Sequence, residues 1–425
     1  MGLTVSSHLK RNGIIIISVL CVLQLVMTFQ KMNRLSTNPR SRIISVERIV
    51  DAGTWAHMTP TDTSRFHLSN DMVKIGDRYY SSKPPLYPVV MAAQALAING
   101  ITGWNFYEHR VDYLRVLVFL NQILPYCLML WSLWAFLLRH IKSEWTAYYM
   151  LLCLSIGSLA YAYSVTINNH TPSAILYVFV FLLWEGISRR GRGEWWRYAL
   201  LGLACGTAFS IELPSGGIAA WFIFLCLMQD RKLGALAILF ALIPFLANLY
   251  LYYYISGVWK PFYLQSGIYR FEGSYWSNPE GIDAERPDKL TYIFHMLFGR
   301  RGLFSITPVL LLGVIGAFRH IFTRSGDFFK REFAGIGVGI LMLIVFVIFR
   351  TWNYGGVCVG MRWFICFMPF LLLMAIPQVE KMQQKLWGRV LLGVMLAWSI
   401  PWTIDVMYEE AFIIGLFERT WVSVF

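Results

Sequence analysis

The sequence predicts an all-α polytopic membrane protein, and three observations lead to this prediction. Hydrophobic residues make up 57% of the 425 residues and charged residues only 14%, whereas soluble proteins carry roughly 25% charged residues. Apolar runs recur along the chain at the length of a membrane span, which is about 20 residues. The basic residues cluster in alternate connections between these runs, as the positive-inside rule predicts.

Eleven apolar runs approach the length of a membrane span. They cover residues 13–30, 113–138, 144–163, 172–188, 198–212, 214–228, 232–255, 303–318, 333–350, 363–379 and 388–404. The pair 198–212 and 214–228 is short and is interrupted by Pro214, so the predicted number ranges from ten to twelve. Lys10 and Arg11 precede the first run, and no small-residue cleavage pattern follows it, which indicates a retained span rather than a signal peptide.

The connections between the runs predict the orientation. The basic connections are 139–142, 189–197, 231–232, 319–331 and 381–389, and with Lys10 and Arg11 they hold 17 Lys and Arg. The alternate short connections hold only Arg362. The basic set is therefore predicted to be cytoplasmic, together with the N-terminus. The net charge of +13 is then mainly a topology signal and argues against nucleic acid as a partner.

The chain is predicted to be a single transmembrane domain, 1–425, with two long segments on the outer side. These segments are 31–112 and 256–302, and short interfacial helices are expected in them. Long loops are translocated largely regardless of charge, so the basic residues of the first segment do not contradict the orientation. The seven cysteines lie mostly in apolar runs and have no CxxC spacing, so neither a disulfide framework nor a metal knuckle is indicated.

Polar motifs from distant parts of the chain are predicted to share the outer face. They are 41–55, 69–85, 167–172, 277–289, 299–308 and 353–363. Polar residues are costly at membrane depth and occur where function needs them. Their convergence on one face predicts a functional site there.

The cations of these motifs lie at or near span ends, where a membrane-anchored anion would lie. They include Lys83, Arg300, Arg301 and Arg362. Arginine binds a phosphate through two donors, whereas lysine acts as a point charge. The alternative for each is a long side chain that reaches the membrane interface. Pro84 and Pro85 restrict the backbone just before an apolar helix and would hold Lys83 at a fixed depth.

The first outer segment supplies the candidate catalytic carboxylates Glu47, Asp51 and Asp71. A carboxylate near the bilayer surface can act as a general base or hold a divalent metal. In a short helix over 43–52, Glu47 and Asp51 would be neighbours on one face. A solvated helix face is the alternative for this pair.

Aromatic and imidazole side chains are candidates for substrate contacts. Tyr79 and Tyr80 can stack on a sugar or anchor the interface, and His170 can belong to the site or to a cap of the helix that follows. The loop residues His57, Asp62 and His67 can be drawn as a metal set, although loop histidines are usually solvated.

The order of these motifs resembles the GT-C superfamily of integral membrane glycosyltransferases. The nearest branch is family 39 and its bacterial relatives, which include the lipid A aminoarabinose transferases and are related to the protein O-mannosyltransferases. The stretches are SRIISVERIVDAGTW, SNDMVKIGDRYYSSKPP, NNHTP, GRRGLFSITP and GMRWFICFMPF, and YYSSKPP is the most specific element. The resemblance spans most of the chain.

The resemblance implies a glycosyltransferase of a bacterial inner membrane with an extracytoplasmic active site. Its donor would be a polyprenyl-phosphate-linked sugar such as an undecaprenyl phosphate derivative, and its acceptor a lipid, glycan or protein. Transfer would be a single inverting displacement. No particular cofactor is predicted, and a role for a divalent metal stays open. The phosphate would contact Lys83, with Arg362, Arg301 and Arg42 as further phosphate-binding candidates.

The chain departs from the family at the residue expected to be the base. The family places an acid just after the first span, three residues before an arginine that Arg42 matches, but here the place reads Asn38-Pro39. The base is then expected at Asp51 or Glu47, with Asp71 next. Two other functions stay open: a transporter or flippase of lipid-linked sugars, for which midplane charges are expected, and a non-catalytic scaffold with this fold.

Overall fold

Helices dominate the computed structural model, which describes residues 7–31, 35–57, 69–190, 194–322 and 329–408, with Phe417 and Arg419. The helices within these residues are α1 (Ser7–Lys31), α2 (Thr37–Ala52), α3 (Leu86–Thr102), α4 (Arg110–Val118), α5 (Leu124–His140), α6 (Glu144–Leu154), α7 (Leu159–Ala162), α8 (His170–Arg190), α9 (Trp195–Ile211), α10 (Gly216–Gln229), α11 (Arg231–Ser256), α12 (Lys289–Leu297), α13 (Leu303–Ile306), α14 (Leu310–Phe322), α15 (Lys330–Arg350), α16 (Met368–Met382) and α17 (Leu386–Tyr408). Strands β1 (Met72–Ile75) and β2 (Arg78–Ser81) form one antiparallel hairpin.

The predicted all-α polytopic class is confirmed, with fewer full-length spans than the eleven runs. In the described chain, six helical segments are long and apolar enough to cross a membrane, and the pair Glu144–Leu154 and Leu159–Val165, bent by 48°, makes a seventh. Each of the other predicted runs contains a shorter helix. The cause lies partly in the backbone, because Pro214 ends the run of α9 and Pro369 lies at the start of α16.

Small residues allow helices α9 and α11 to approach each other closely. A Cβ atom added at Gly202 would overlap the carbonyl oxygen of Ala237, and one added at Gly206 would overlap that of Ala241. These glycines are one helical turn apart and therefore share a face. Close backbone approach at small residues is a main source of helix association inside a membrane.

The described residues of the first long segment, 35–57 and 69–112, pack against the ends of the apolar helices. Helix α2 ends at Gly53, whose φ of 61° makes a left-handed cap. Its Ile43 and Val46 are fully buried and belong to one apolar cluster with Met91 of α3 and Tyr113 of α4. This packing fixes the rotation of α2 about its axis, and thereby the direction of its polar side chains.

The hairpin packs on the C-terminal end of α11. Val73 of β1 is fully buried in a cluster with Tyr252 of α11 and Phe262 of the segment that follows it. Ile75 and Tyr80 pack against this cluster. The position of the hairpin is therefore set by a membrane-spanning helix.

One cysteine pair forms a disulfide that the spacing of the cysteines does not indicate. Cys21 of α1 and Cys127 of α5 form a disulfide across 106 residues. The two cysteines come together because α1 packs beside α5, and sequence spacing carries no signal of that contact. Five other cysteines are free and buried.

We expect Gly206→Ala to destabilise the fold, because its added Cβ meets the backbone of α11 and cannot be accommodated by a rotamer change. Overpacking of this kind costs about 1–3 kcal/mol. The measurement is the thermal unfolding midpoint of the purified protein in detergent. Gly393→Ala in α17 is the matched control, since a Cβ there meets no atom within 4 Å. Equal midpoints for the two variants would contradict the close approach.

Candidate functional site

A β-hairpin brings Asp71 and Lys83 side by side, although they are 12 residues apart in the chain. The strands pair in antiparallel register with Met72 opposite Ser81. The turn contains Gly76, whose φ of 63° is a left-handed conformation that glycine adopts without strain. Asp71 directly precedes the first paired residue and Lys83 closely follows the last, so both lie at the open end of the hairpin.

Asp71 and Lys83 form an ion pair that is largely shielded from solvent. Lys83 Nζ lies 2.8 Å from Asp71 Oδ2, and the two side chains are 16% and 11% exposed. Burial lowers the pKa of Lys83 to about 8, although the charge of Asp71 opposes this shift. Burial would raise the pKa of Asp71, but the charges of Lys83, Arg362 and Arg42 outweigh it and lower that pKa. At neutral pH Asp71 is therefore ionised and Lys83 is mostly protonated.

Helix α2 adds a buried arginine and an amide to this pair. Arg42 Nη1 donates to the backbone oxygen of Asn38 at 3.1 Å and also to its side-chain Oδ1. Asn38 Nδ2 donates to Asp71 Oδ2 at 3.4 Å. Burial, and then repulsion by Arg362, lowers the pKa of Arg42 to about 10, so its guanidinium stays charged. Asn38 stands where the family resemblance leads us to expect an acid, and its side chain contacts the carboxylate of Asp71 instead.

The polar residues at the start of helix α8 have two kinds of contact: one caps the helix and the others reach Glu212. Asn168 Oδ1 accepts a hydrogen bond from the backbone N of Thr171 at 2.8 Å, which satisfies an amide at the helix start. Asn169 and His170 instead contact Glu212, just after the end of α9. Asn168 therefore caps the helix, while the role of His170 in a functional site stays a prediction.

Glu212 joins two residues of α8 to the arginine of α2. Asn169 Nδ2 donates to Glu212 Oε2, and His170 Nδ1 lies 2.7 Å from the same oxygen. Arg42 Nη2 donates to Asn169 Oδ1. A continuous polar network, which we call the outer network, therefore runs from Lys83 to Glu212. Its members are Lys83, Asp71, Asn38, Arg42, Asn169, Glu212 and His170.

Arg362 faces the outer network from the segment before α16. Its side chain packs on Gly355 and Gly356, whose φ angles of 94° and 83° are strained for any other residue. Asn353 Oδ1 holds this turn by accepting bonds from both glycine amides at 2.6 Å. The charge of Arg362 acts on the titratable groups Arg42, Asp71, Lys83 and His170.

The two candidate tyrosines lie on strand β2, beside the site. Tyr80 lines a small pocket together with Lys83 and Trp55. Tyr79 lies edge-on to Phe271, with ring centroids 5.3 Å apart. Their proposed contacts with a substrate remain predictions.

The carboxylates that the sequence favoured most lie apart from the outer network. Asp51 accepts hydrogen bonds from the backbone N atoms of Phe106 at 3.2 Å and Tyr107 at 3.1 Å. Glu47 is 1% exposed, and its Oε2 lies 3.9 Å from Arg110 Nε. Burial raises the pKa of Glu47 to about 7, although Arg110 opposes this shift. The structure therefore does not bring these two acids to Lys83.

The remaining candidates have other surroundings. Arg301 is fully buried, and its charge acts on Tyr163 and Tyr354. Arg300 forms an ion pair with Glu285.

Only one member of the metal set drawn from the sequence lies in the described residues, so the set stays a prediction. His57 Nε2 lies 2.8 Å from Ser45 Oγ, while Asp62 and His67 fall outside the described residues. Within those residues there is no group of three or more His, Cys, Asp or Glu side chains able to hold a metal.

Sequence reasoning missed Glu212, the second carboxylate of the outer network. A signal for it exists, because Glu212 is an acid at the end of an apolar run and directly precedes Leu213-Pro214. An ionisable residue at the border of a span is a functional candidate by default. Glu212 belongs to none of the longer polar motifs, so the convergence of those motifs does not predict it.

The fold and the outer network define a polytopic helical membrane protein with the GT-C fold. A solved structure with this fold is ArnT from Cupriavidus metallidurans, crystallised with undecaprenyl phosphate. The two share 13% sequence identity with a TM-score of 0.53, over 89% of this chain and 62% of ArnT. The chain therefore spans less than two thirds of that protein. No protein-family model and no curated protein matches the sequence.

We expect the stability of the protein to fall as the pH rises from about 4.5 to about 7, through Glu47. Its pKa is raised from 4.5 to about 7 in the folded state, so the folded state holds a proton that the unfolded state has released. The expected change is about 2–3 kcal/mol. Unfolding midpoints in detergent at pH 5 and pH 8 measure it.

Glu47→Gln should remove most of this pH dependence, because the amide does not titrate. Asp77→Asn in the exposed hairpin turn is the control and should leave the dependence unchanged. An identical pH dependence in Glu47→Gln and in the original chain would rule out Glu47 as its source.

Proposed function

We propose that the chain is a glycosyltransferase that moves a sugar from a polyprenyl-phosphate donor to a lipid, glycan or protein acceptor. The observation that carries the proposal is the outer network together with Arg362, which brings three cations and two carboxylates to the ends of membrane helices. A transferase with this reaction needs both types of group in one place. Cations stabilise the leaving phosphate, and a carboxylate receives the proton of the acceptor.

Lys83, Arg42 and Arg362 are the proposed phosphate-binding groups. Lys83 is partly exposed and lies at the open end of the hairpin, where its ammonium group contacts Asp71. The guanidinium groups of Arg42 and Arg362 also act on the Asp71 carboxylate. Negative charge on the phosphate increases as its bond to the sugar breaks. Fixed cations in a shielded site stabilise that increase more than they would in water.

Asp71 is the proposed base. It is ionised, and its Oδ2 contacts both Lys83 and Asn38. A phosphate that binds Lys83 would weaken the hold of the ammonium on this carboxylate. The carboxylate would then become more basic, which suits a step in which the acceptor loses its proton after the donor has bound.

The proposed site faces the extracytoplasmic side, and the N-terminus is cytoplasmic. Helix α8 supports this orientation, because it begins at the outer network and ends at Arg189 and Arg190, in a basic connection. We place the protein in a bacterial inner membrane, where undecaprenyl phosphate, the ligand named for ArnT, is the corresponding carrier.

Lys83→Ala should lower transfer by about 100-fold or more, because it removes one preorganised positive charge from the phosphate site. The assay follows sugar transfer from a panel of radiolabelled polyprenyl-phosphate sugars by the purified protein in vesicles. Lys260→Ala is the matched control, since Lys260 is an exposed lysine of the second outer segment.

Full transfer by Lys83→Ala would overturn the assignment of the phosphate site. Movement of the lipid-linked sugar across the vesicle membrane without any transfer would instead identify a transporter. Unfolding midpoints of both variants show whether a loss of transfer reflects a loss of the fold.

Asp71→Asn should lower kcat by about 100-fold or more, because the amide cannot take up the acceptor proton. The double variant Asn38→Asp with Asp71→Asn should recover part of this loss, since the two side chains are in contact. The same transfer assay measures both. Asp51→Asn is the comparison variant, and a loss of kcat there with none in Asp71→Asn would move the base to α2.

A further inference from the structure

A buried histidine and a buried glutamate form a second polar pair at the far end of the outer network. His170 is 4% exposed and Glu212 is 3% exposed. His170 Nδ1 lies 2.7 Å from Glu212 Oε2. They lie on separate helical segments, at the start of α8 and just after α9, so the contact needs both helices in place.

The contact with Glu212 decides which ring nitrogen of His170 holds a proton. A carboxylate oxygen 2.7 Å from a ring nitrogen would repel a lone pair on that nitrogen, so the proton of the neutral ring is favoured at Nδ1. The other nitrogen, Nε2, has no hydrogen-bond partner among the residues that the structure describes. Neutral His170, which is 4% exposed, therefore offers Nε2 as a hydrogen-bond acceptor without a protein donor among the described residues.

The position of the pair connects it to the proposed phosphate site. Glu212 Oε2 also accepts from Asn169, which in turn accepts from Arg42. The charges of Arg42 and Arg362 both act on His170. A ligand held by these guanidinium groups would therefore be a neighbour of the imidazole.

The chemistry of the site narrows the group that His170 can bind. Arg42, Arg362 and Lys83 donate hydrogen bonds and accept none, so they recognise phosphate oxygens. The hydroxyl or amino groups of a sugar donate hydrogen bonds, so their recognition needs a hydrogen-bond acceptor. Asp71 is occupied by Lys83 and Asn38, and His170 Nε2 supplies an uncommitted acceptor.

We propose that His170 Nε2 accepts a hydrogen bond from a hydroxyl or amino group of the donor sugar, and that Glu212 is the positioning residue that fixes the imidazole for this contact. The inference rests on the proposed function. It makes His170 a determinant of sugar specificity, because a sugar without a donor group at this place would leave a buried acceptor unpaired.

The first test needs no transfer activity. The protein is labelled with ¹⁵N-histidine, placed in nanodiscs without substrate, and the ring nitrogens of His170 are identified by their loss in His170→Gln. We expect a neutral ring protonated at Nδ1 in the original chain, and loss of that preference in Glu212→Gln. A neutral ring protonated at Nε2 in the original chain would overturn the proposal.

The second test separates sugar recognition from phosphate binding. Glu212→Gln and His170→Gln should each lower kcat/KM for transfer by about tenfold to a hundredfold, as expected for a lost hydrogen bond. Because both act through one contact, the double variant should be no worse than the single ones. The affinity for undecaprenyl phosphate, which has no sugar, should change by less than about twofold.

The matched control is Glu332→Gln. Glu332 is also buried and bonded to α8, through Trp184 Nε1 at 2.7 Å, near the opposite end of that helix. It should leave the His170 ring and the transfer rate unchanged. A loss of undecaprenyl phosphate affinity in Glu212→Gln as large as its loss of kcat/KM would show that the His170–Glu212 pair supports phosphate binding. That result would overturn the proposed sugar contact.

Failure of the inference is distinguishable from failure of the proposed function. If the chain transfers no sugar, the ring protonation still shows whether Glu212 fixes His170. If transfer occurs and depends on Lys83 but not on His170, the proposed function stands and the sugar contact is wrong.

Discussion

Buried charge is the constraint on which this structure depends, and the Lys83–Asp71 pair is its centre. A buried charge without a counter-charge costs several kcal/mol, so each member of the outer network needs its neighbour. The network takes its members from α2, the hairpin, α8 and the end of α9. These four elements can therefore adopt only the arrangement that satisfies all of them together. The site is organised by the same contacts that hold the outer segment on the membrane helices.

The hairpin explains why GDRYYSSKPPLYP places a lysine beside two prolines. Its Gly76 turn folds the chain back, which brings Lys83 to Asp71. Helix α3 begins at Leu86, directly after the prolines, so Lys83 is held between a strand and a helix. The apolar side of the hairpin packs on α11, which ties the depth of the ammonium to a membrane-spanning helix.

The sequence predicts the class of fold well because composition and basic connections follow directly from the physics of the bilayer. It predicts the site less completely. Helical spacing correctly puts Glu47 and Asp51 in one helix, α2, but it cannot say which face of that helix meets the site. The tertiary packing decides this, and it places Asp51 at the backbone of Phe106 and Tyr107 and Glu47 near Arg110. The contacts Asn38–Asp71 and Glu212–His170 join residues 33 and 42 positions apart, so they require the tertiary fold.

The combined charge of the outer network and Arg362 supports the proposed reaction of a phosphodiester. Lys83, Arg42 and Arg362 supply three positive charges, and Asp71 and Glu212 supply two negative ones, which leaves one positive charge with His170 neutral. A polyprenyl-phosphate sugar is a phosphodiester with one negative charge, so its binding neutralises the site. In the proposed reaction, a second negative charge would develop on the phosphate as its bond to the sugar breaks, while the acceptor proton would neutralise Asp71. The total charge of the site is thereby conserved, and the cations interact more strongly with the transition state than with the bound donor.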